Sequence, residues 1–228
     1  MERVMTRETK TRWVSAVLLG AGESKRMGRD KLVLPWGKRT VLEHCLDVLL
    51  RSEIREVVVV VRSRSENFED WISKYPAFMR EKIKVVVNLD YPEGMSSSIR
   101  KGLKSVDPGS AGVLIALGDQ PLLKSNTING LIHAFIHGKR KIAIPYYHNK
   151  RGNPVLFDRG FIRGLMRLRG DTGGRSIIEN HPVEVLRVRT RSEAVIRDID
   201  TWGEYRRLKA TGSRHNAKDD LRNRGTGR

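Results

Sequence analysis

Short apolar runs alternate with segments of helical periodicity along most of this chain. Three of the runs, VSAVLLG, EVVVVV and GVLIALG, begin at Val14, Glu56 and Gly112 and are rich in β-branched and aliphatic residues. That composition is typical of strands covered on both faces. Helical periodicity separates the runs and is clear over Thr40–Leu50 and Ser96–Val106. Strands that alternate with helices pair in parallel through right-handed crossovers, so we expect a single-domain α/β fold with a doubly wound, mostly parallel sheet.

Weaker signals extend this pattern toward both ends of the chain. Further strands are predicted at Lys84–Val87, Lys141–Tyr147, Pro154–Phe157, Glu184–Arg189 and Ala194–Asp200, and further helices near 65–75, 125–136, 161–168 and 201–208. The predicted domain therefore covers residues 13–211 and follows a basic extension over residues 1–12. Residues 212–228 are polar, basic and without periodicity, which predicts a disordered tail.

The chain is strongly basic: 44 Lys and Arg against 26 Asp and Glu give a formal charge of +18. Such a charge attracts polyanions, so a nucleic-acid-binding protein is one alternative. It is not the expected one, because the tryptophans are scattered rather than clustered like base-stacking platforms. The apolar runs are too short to cross a bilayer. The single cysteine, Cys45, lies in an apolar helical pattern and is expected to be a buried structural thiol. A cytoplasmic protein without a membrane partner is predicted.

A glycine turn and a cluster of cations follow the first predicted strand. Gly20 and Gly22 allow the backbone to turn sharply and to approach a ligand closely. Arg26 and Lys31 are two of four cations in the next nine residues. A strand, a glycine turn and cations in this order indicate an anion site, most simply for a polyphosphate. The spacing fits neither a Walker A loop nor a dinucleotide-binding fingerprint, and a tight turn with a solvated basic rim is the alternative.

Two groups of carboxylates are candidate metal ligands. Asp119 ends the strand GVLIALG and precedes Gln120 and a proline. Because ligands of doubly wound sheets bind beyond the carboxyl ends of the strands, Asp119 is placed to face the glycine turn. There it would hold Mg²⁺ opposite a triphosphate, unless it is only a turn or cap residue. Asp198 and Asp200 would share one face of a strand, although Asp200 is equally suited to cap the helix that follows.

The stretch LLGAGESKRMGRDKLVLPWG resembles the signature of the MobA-like nucleoside triphosphate transferases, and most closely that of the molybdenum cofactor cytidylyltransferases. Five further matches follow in order, namely EGMSSSIRKGL, GDQP, GNPVLF, GDTGGRSII and DIDT. Together they extend over about residues 14–205. The resemblance implies a Rossmann-like nucleotidyltransferase fold. It also implies Mg²⁺-dependent transfer of CMP from CTP to the phosphate of molybdopterin, with release of pyrophosphate.

The resemblance also assigns roles to residues. It implies that Arg26, Lys31 and Asp119 are catalytic and that Asp119 and Asp200 bind the metal. The residues expected to bind the nucleotide are Gly20, Ala21, Gly22, Arg26, Lys31, Ser97, Ser98 and Arg100. The residues expected to face the acceptor are Asn153, Asp171 and Arg175.

Two features of the sequence leave alternatives within this resemblance. The segment LVLPWG is similar to the one that accompanies CTP use, but a transferase of the same fold using GTP, or another phosphorylated acceptor such as a sugar phosphate, remains an alternative. Asn153 stands where many family members have histidine, which leaves acceptor contacts there open. A molybdenum enzyme that receives the product is a further expected partner, to which the basic tail would dock.

Overall fold

A computed structural model describes residues 12–22, 24–63 and 66–211 of the 228-residue chain. The strands are β1 (Val14–Gly20), β2 (Pro35–Trp36), β3 (Arg39–Thr40), β4 (Glu56–Val61), β5 (Ile83–Val87), β6 (Gly112–Leu117), β7 (Ile142–Tyr147), β8 (Lys150–Arg151), β9 (Val155–Asp158) and β10 (Val185–Thr190). The α-helices are α1 (Val41–Leu50), α2 (Glu66–Ser73), α3 (Ala77–Arg80), α4 (Met95–Leu103), α5 (Ser125–His137), α6 (Ile162–Leu165), α7 (Arg175–Asn180) and α8 (202–211). The predicted tail over 212–228 and residues 1–11 of the predicted extension lie outside the described residues.

The central sheet has the strand order β10-β7-β9-β6-β1-β4-β5, and β8 pairs with β7. Its β1 pairs in parallel with both β4 and β6, and β4 with β5 and β7 with β10 are also parallel. In this sheet β9 runs antiparallel to both β6 and β7, and the short β8 runs antiparallel to β7. The prediction of one α/β domain with a mostly parallel sheet is confirmed. No helix of the described residues combines the length and the apolar character needed to cross a bilayer.

The sheet is buried on both faces, which explains why its central strands read as continuous apolar runs. All seven residues of β1 and all six of β4 are buried. Ala16 and Leu18 pack in the cluster that includes α1 and α5, whereas Val17 and Leu19 pack on the other face with α4. Helix α4 approaches the sheet closely, since a Cβ at Gly102 would lie 2.4 Å from Val17 Cγ1.

Helix α1 begins where the sequence predicts it. Thr40 accepts a hydrogen bond from Glu43 N (3.3 Å), and Glu43 Oε2 accepts one from Thr40 N (2.6 Å), so the two form a capping box. Cys45 is a buried free thiol of this helix, as expected. The prediction of a strand over residues 194–200 is wrong: Glu193–Ile196 forms a single 3₁₀ turn, and residues 198–200 have no regular secondary structure and do not join the sheet.

Candidate active site

The glycine turn leaves β1 next to the end of β6. Gly20 closely approaches β4, because a Cβ there would lie 2.9 Å from Val60 O. Gly118 N donates to Leu19 O (2.9 Å), which holds the two strand ends together. A Cβ at Gly118 would lie only 2.8 Å from the same carbonyl oxygen. Glycines at both positions thus let the glycine turn and the residue after Gly118 lie side by side.

The loop that follows fixes the backbone of Lys31. Asp30 caps the 3₁₀ turn Lys31–Val33 by accepting from Leu32 N (3.0 Å), and it forms an ion pair with Arg62. Ser24, in the left-handed region with a φ of 52°, accepts from Lys31 N (3.1 Å). These three contacts hold the loop, and the side chain of Lys31 extends toward the end of β6.

Lys31 reaches two carboxylates that are far apart in sequence. Its Nζ lies 2.6 Å from Asp119 Oδ2 and 3.1 Å from Asp200 Oδ1. Arg26 NH2 lies 2.7 Å from the other oxygen of Asp200. The predicted catalytic residues Arg26, Lys31 and Asp119 thus converge with Asp200 on one point, as the sequence motifs led us to expect.

A backbone contact brings the two acidic segments together. Ile199 N donates to Asp119 O (3.0 Å), so Asp198 and Asp200 flank a residue tied to the end of β6. Ligand oxygens of Asp119, Asp198 and Asp200 all lie within 4.8 Å of one another. The aspartates at 198 and 200 share a face as predicted, but a contact with Asp119 rather than strand pairing aligns them.

Asp200 does not cap the helix that follows. Thr201 Oγ1 accepts from Glu204 N (3.2 Å) at the start of α8, and Glu204 Oε2 accepts from Asp200 N (3.0 Å). Thr201 is therefore the N-cap residue of α8, and the Asp200 carboxylate pairs with Arg26 and Lys31. Farther along α8, Tyr205 OH donates to Pro35 O (2.6 Å), which packs this helix against the loop segment carrying Lys31.

Burial and neighbouring charges shift the pKa values of the groups in this cluster. Burial raises the pKa of Asp119 above its ordinary value, and Lys31 opposes this rise. Burial, with Asp119 and Asp200 nearby, also raises the pKa of Asp198. For Lys31, burial alone would lower the pKa, but the two carboxylates outweigh it and raise it. Asp119 Oδ1 is buried and has no hydrogen-bond partner among the described residues. An unpaired carboxylate oxygen beside two further carboxylates is the donor set that a hard divalent cation prefers.

A cavity of about 550 Å³ opens over this cluster. Ala21, Gly22, Arg26 and Lys31 line it from the first loop, and Asp119, Asp198 and Asp200 line it from the carboxylate cluster. Tyr91, Gly94, Met95 and Ser98 line it from the segment around the start of α4, and Asp171 joins them. Of the residues predicted from the sequence, Gly20, Ser97, Arg100, Asn153 and Arg175 are not among those that line it.

The segment before α4 is fastened to the loop before α7. Gly94 has a φ of 96°, and a Cβ there would lie 2.6 Å from Asp171 N. Ser96 N donates to Gly170 O (3.2 Å), and Met95 N donates to Asp171 Oδ1 (3.2 Å). The segment that leads into Ser97 and Ser98 therefore meets the loop that carries Asp171.

Ser97 and Arg100 support the cavity from behind. Asn88, fully buried after β5, donates its Nδ2 to Ser97 Oγ (2.9 Å) and Ser98 Oγ (3.0 Å). Arg100 donates to Leu168 O (2.7 Å) and to Glu93 Oε2 (2.8 Å). Sequence reasoning missed Asn88, and the only signal for it is an amide directly after a predicted strand.

Asn153 and Arg175 lie away from the lining of this cavity. Asn153 N donates to Val195 O (2.8 Å). Arg175, at the start of α7, forms an exposed ion pair with Glu179 over 2.8 Å. Their contact with an acceptor stays a prediction.

Comparison with curated proteins finds several relatives of nearly the full length of this chain. A nicotine blue oxidoreductase of Paenarthrobacter nicotinovorans is 29% identical over 204 residues, which cover 86% of this chain and 96% of that protein. The purine catabolism protein PucB of Bacillus subtilis (strain 168) is 28% identical, with coverages of 85% and 94%. The molybdenum cofactor cytidylyltransferase of Escherichia coli (strain K12) is 22% identical, with coverages of 84% and 93%.

Solved structures agree with the fold. A homologue of Mycobacterium tuberculosis Rv0371c from Mycobacterium sp. strain JC1 superposes with a TM-score of 0.72 at 29% identity, covering 88% of this chain and 97% of that one. Rv0371c itself, from M. tuberculosis H37Rv in complex with manganese, superposes with a TM-score of 0.69 at 26% identity, with coverages of 87% of this chain and 98% of that one. The family model for the MobA-like NTP transferase domain matches residues 16–185. Because this model covers most of the chain, the chain belongs to the MobA-like NTP transferases and is a nucleotidyltransferase of that family.

Proposed function

We propose that the chain transfers CMP from CTP to the phosphate of molybdopterin, with Mg²⁺ bound, and releases pyrophosphate. The observation that carries this proposal is the meeting of Lys31 with Asp119 and Asp200 beside the glycine turn. It combines a cation for phosphate, carboxylates for a metal and a close backbone approach within one cavity. A manganese-bound relative supports the choice of a divalent cation.

The first loop is suited to the triphosphate. Ala21 and Gly22 line the cavity, and a Cβ at Gly22 would meet no atom of the described residues within 4 Å apart from its chain neighbours, so a phosphate can come close to the chain. Arg26 and Lys31 would neutralise the β- and γ-phosphates and then the departing pyrophosphate. Asp119 and Asp200, with Asp198 beside them, would hold the Mg²⁺. When bound, this ion would supply positive charge to the phosphate oxygens.

The transfer itself requires few groups beyond these cations and metal ligands. An oxygen of the acceptor phosphate forms a bond to the α-phosphorus, the bond from that phosphorus to the bridging β-oxygen breaks, and pyrophosphate leaves with the electron pair. A phosphate monoester is already largely ionised near neutral pH, so no general base is required. Charge neutralisation and in-line positioning are the main contributions of the protein.

The donor base and the acceptor are the finer parts of the proposal. Ser98 would contact the base or ribose, while Ser97 and Arg100 hold the segment that presents it. Asp171 lies in the cavity on the side proposed for the acceptor, and Asn153 and Arg175 are proposed to contact a more distant part of it. The cytidylyltransferase relative at 22% identity supports CTP and molybdopterin. A probable molybdenum cofactor guanylyltransferase, 24% identical over 136 residues, makes GTP the nearest alternative donor.

The deciding experiment measures pyrophosphate release from each of the four nucleoside triphosphates with purified molybdopterin and Mg²⁺. CTP should be turned over and GTP should not. Asp119→Asn should abolish release, whereas Asp70→Asn, an exposed aspartate of α2, should leave it unchanged.

Two outcomes would correct the proposal. Turnover of GTP in preference to CTP would overturn the donor. Turnover of CTP only with a sugar phosphate would overturn the acceptor. A cytoplasmic location and delivery of the product to a molybdenum enzyme belong to the same proposal.

A further inference from the structure

The ammonium group of Lys31 occupies the oxygens proposed as metal ligands. It contacts Asp119 Oδ2 at 2.6 Å and Asp200 Oδ1 at 3.1 Å, and its side chain is only 12% exposed. Arg26 contacts the remaining oxygen of Asp200 at 2.7 Å. Both oxygens of Asp200 and one of Asp119 are therefore paired with the chain's own cations.

A divalent ion that binds Asp119 and Asp200 together would have to share these oxygens with Lys31. An ammonium and a divalent ion repel each other strongly at contact distance in a partly dry site. Lys31 and Arg26 leave only Asp119 Oδ1 and the neighbouring carboxylate of Asp198 to a divalent ion in the cluster. These ligands are few without a phosphate, because Mg²⁺ binds through one or two carboxylates plus substrate phosphates. The free protein thus presents a poor site for a bare divalent ion.

We propose that Lys31 makes this site bind its divalent cation together with a polyphosphate rather than as the free ion. This inference rests on the proposed function. The oxygens of a triphosphate draw the ammonium of Lys31 away from the carboxylates, which then become available to the metal. By linkage, the polyphosphate strengthens metal binding by the same factor by which the metal strengthens polyphosphate binding.

Only the side chain of Lys31 has to move in this exchange. Its backbone N–H is held by Ser24 Oγ (3.1 Å), and Asp30 caps the turn that begins at Lys31. The four-carbon stem of a lysine allows its ammonium to change partners while the backbone stays fixed. Lys31 lines the same cavity as Ala21 and Gly22. Phosphates bound at the glycine turn would therefore share that cavity with its ammonium group.

The test measures Mn²⁺ binding without substrates, by the loss of the electron paramagnetic resonance signal of the free ion. Lys31→Met keeps the length of the side chain and removes its charge, and it should bind Mn²⁺ at least tenfold more tightly than the unmodified protein. Arg26→Gln is the matched control, because among the described carboxylates Arg26 pairs with Asp200 and not with Asp119. It should tighten Mn²⁺ binding much less. Combining Asp119→Asn with Lys31→Met should abolish the tighter Mn²⁺ binding of the single variant Lys31→Met.

A second titration tests the dependence on polyphosphate by calorimetry. The unmodified protein should bind preformed Mn²⁺–tripolyphosphate at least tenfold more tightly than Mn²⁺ alone, and Lys31→Met should lose most of that difference. Lys31→Gln provides a second neutral variant, and circular dichroism with thermal unfolding verifies that each variant is folded.

The outcomes separate this inference from the proposed function. Equal Mn²⁺ affinity in the unmodified protein and in folded Lys31→Met, with binding still dependent on Asp119, would overturn the inference alone. Tightening by Arg26→Gln as large as that by Lys31→Met would also overturn it, because the effect would then not be specific to Lys31. Absence of Asp119-dependent binding in every variant would overturn both the inference and the metal site. Failure of CTP turnover would affect only the proposed function.

Discussion

Asp119→Asn should abolish turnover while it leaves the fold intact. The substitution keeps the shape of the side chain and removes the charge that faces Lys31 at 2.6 Å. A bound metal supplies several kcal/mol of transition-state stabilisation. If about 4 kcal/mol is lost, the rate falls about 10³-fold, since each 1.36 kcal/mol is a factor of ten.

The stability of the variant should change little. Burial raises the pKa of Asp119, which means that its ionised form is less favourable in the folded protein than in the unfolded chain. A neutral amide avoids that penalty, and Lys31 keeps Asp200 at 3.1 Å as a partner. A net change within about 1 kcal/mol corresponds to a Tm shift of about 2–4 °C for a chain of this size.

The assay combines pyrophosphate release at saturating CTP, molybdopterin and Mg²⁺ with thermal unfolding of the same preparations. Asp70→Asn, an exposed aspartate of α2, should change neither the rate nor the Tm. A rate of Asp119→Asn within tenfold of the unmodified enzyme's would refute the role given to this carboxylate. The same rate loss accompanied by a large fall in Tm would show that Asp119 acts through the fold instead.

Four further predictions concern the fold and the segments that support the site. Gly102→Ala should destabilise the protein by about 1–3 kcal/mol in urea unfolding, because the new Cβ would lie 2.4 Å from Val17 Cγ1. Gly130→Ala, in an open position of α5, should instead stabilise it by up to about 1 kcal/mol. Arg100→Gln should raise the KM for the nucleotide about tenfold with a smaller change in kcat, since Arg100 holds the segment before α4. Burial raises the pKa of the Cys45 thiol above its ordinary 9.0. Ellman's reagent should therefore label only unfolded chains, and urea unfolding at pH 8 and 10 should show stability falling above pH 9, where only the unfolded thiol ionises.

The parts of the structure that follow from local chemistry could be predicted from the sequence. The apolar runs of β1 and β4 predict a sheet covered on both faces, and all six residues of β4 are buried. Thr40 and Glu43 form the capping box that their spacing favours. Asp119 lies beyond the carboxyl end of β6, beside the glycine turn, because parallel strands end at the same edge of the sheet.

The parts that depend on distant contacts could not be predicted in this way. Arg100 is predicted to bind the nucleotide because of its charge and its motif. In the structure its guanidinium donates to Leu168 O, which lies 68 residues farther along the chain. Asp198 and Asp200 read as a strand, but Ile199 pairs with Asp119 O and not with a sheet neighbour. Neither partner leaves a signal in the local sequence, because each is a backbone carbonyl whose position depends on the whole fold.

The net charge of the chain is a poor guide to the charge of its site. A formal charge of +18 suggests a surface that attracts polyanions directly. At the carboxylate cluster, however, Asp119, Asp198 and Asp200 outnumber the two cations Arg26 and Lys31, so a bare triphosphate would meet a local excess of negative charge. A divalent ion held by these carboxylates would reverse that excess, and a polyphosphate bound with it would draw Lys31 away from them. The local balance between Lys31 and its carboxylates, rather than the sum over the chain, therefore determines which ligand the cavity accepts.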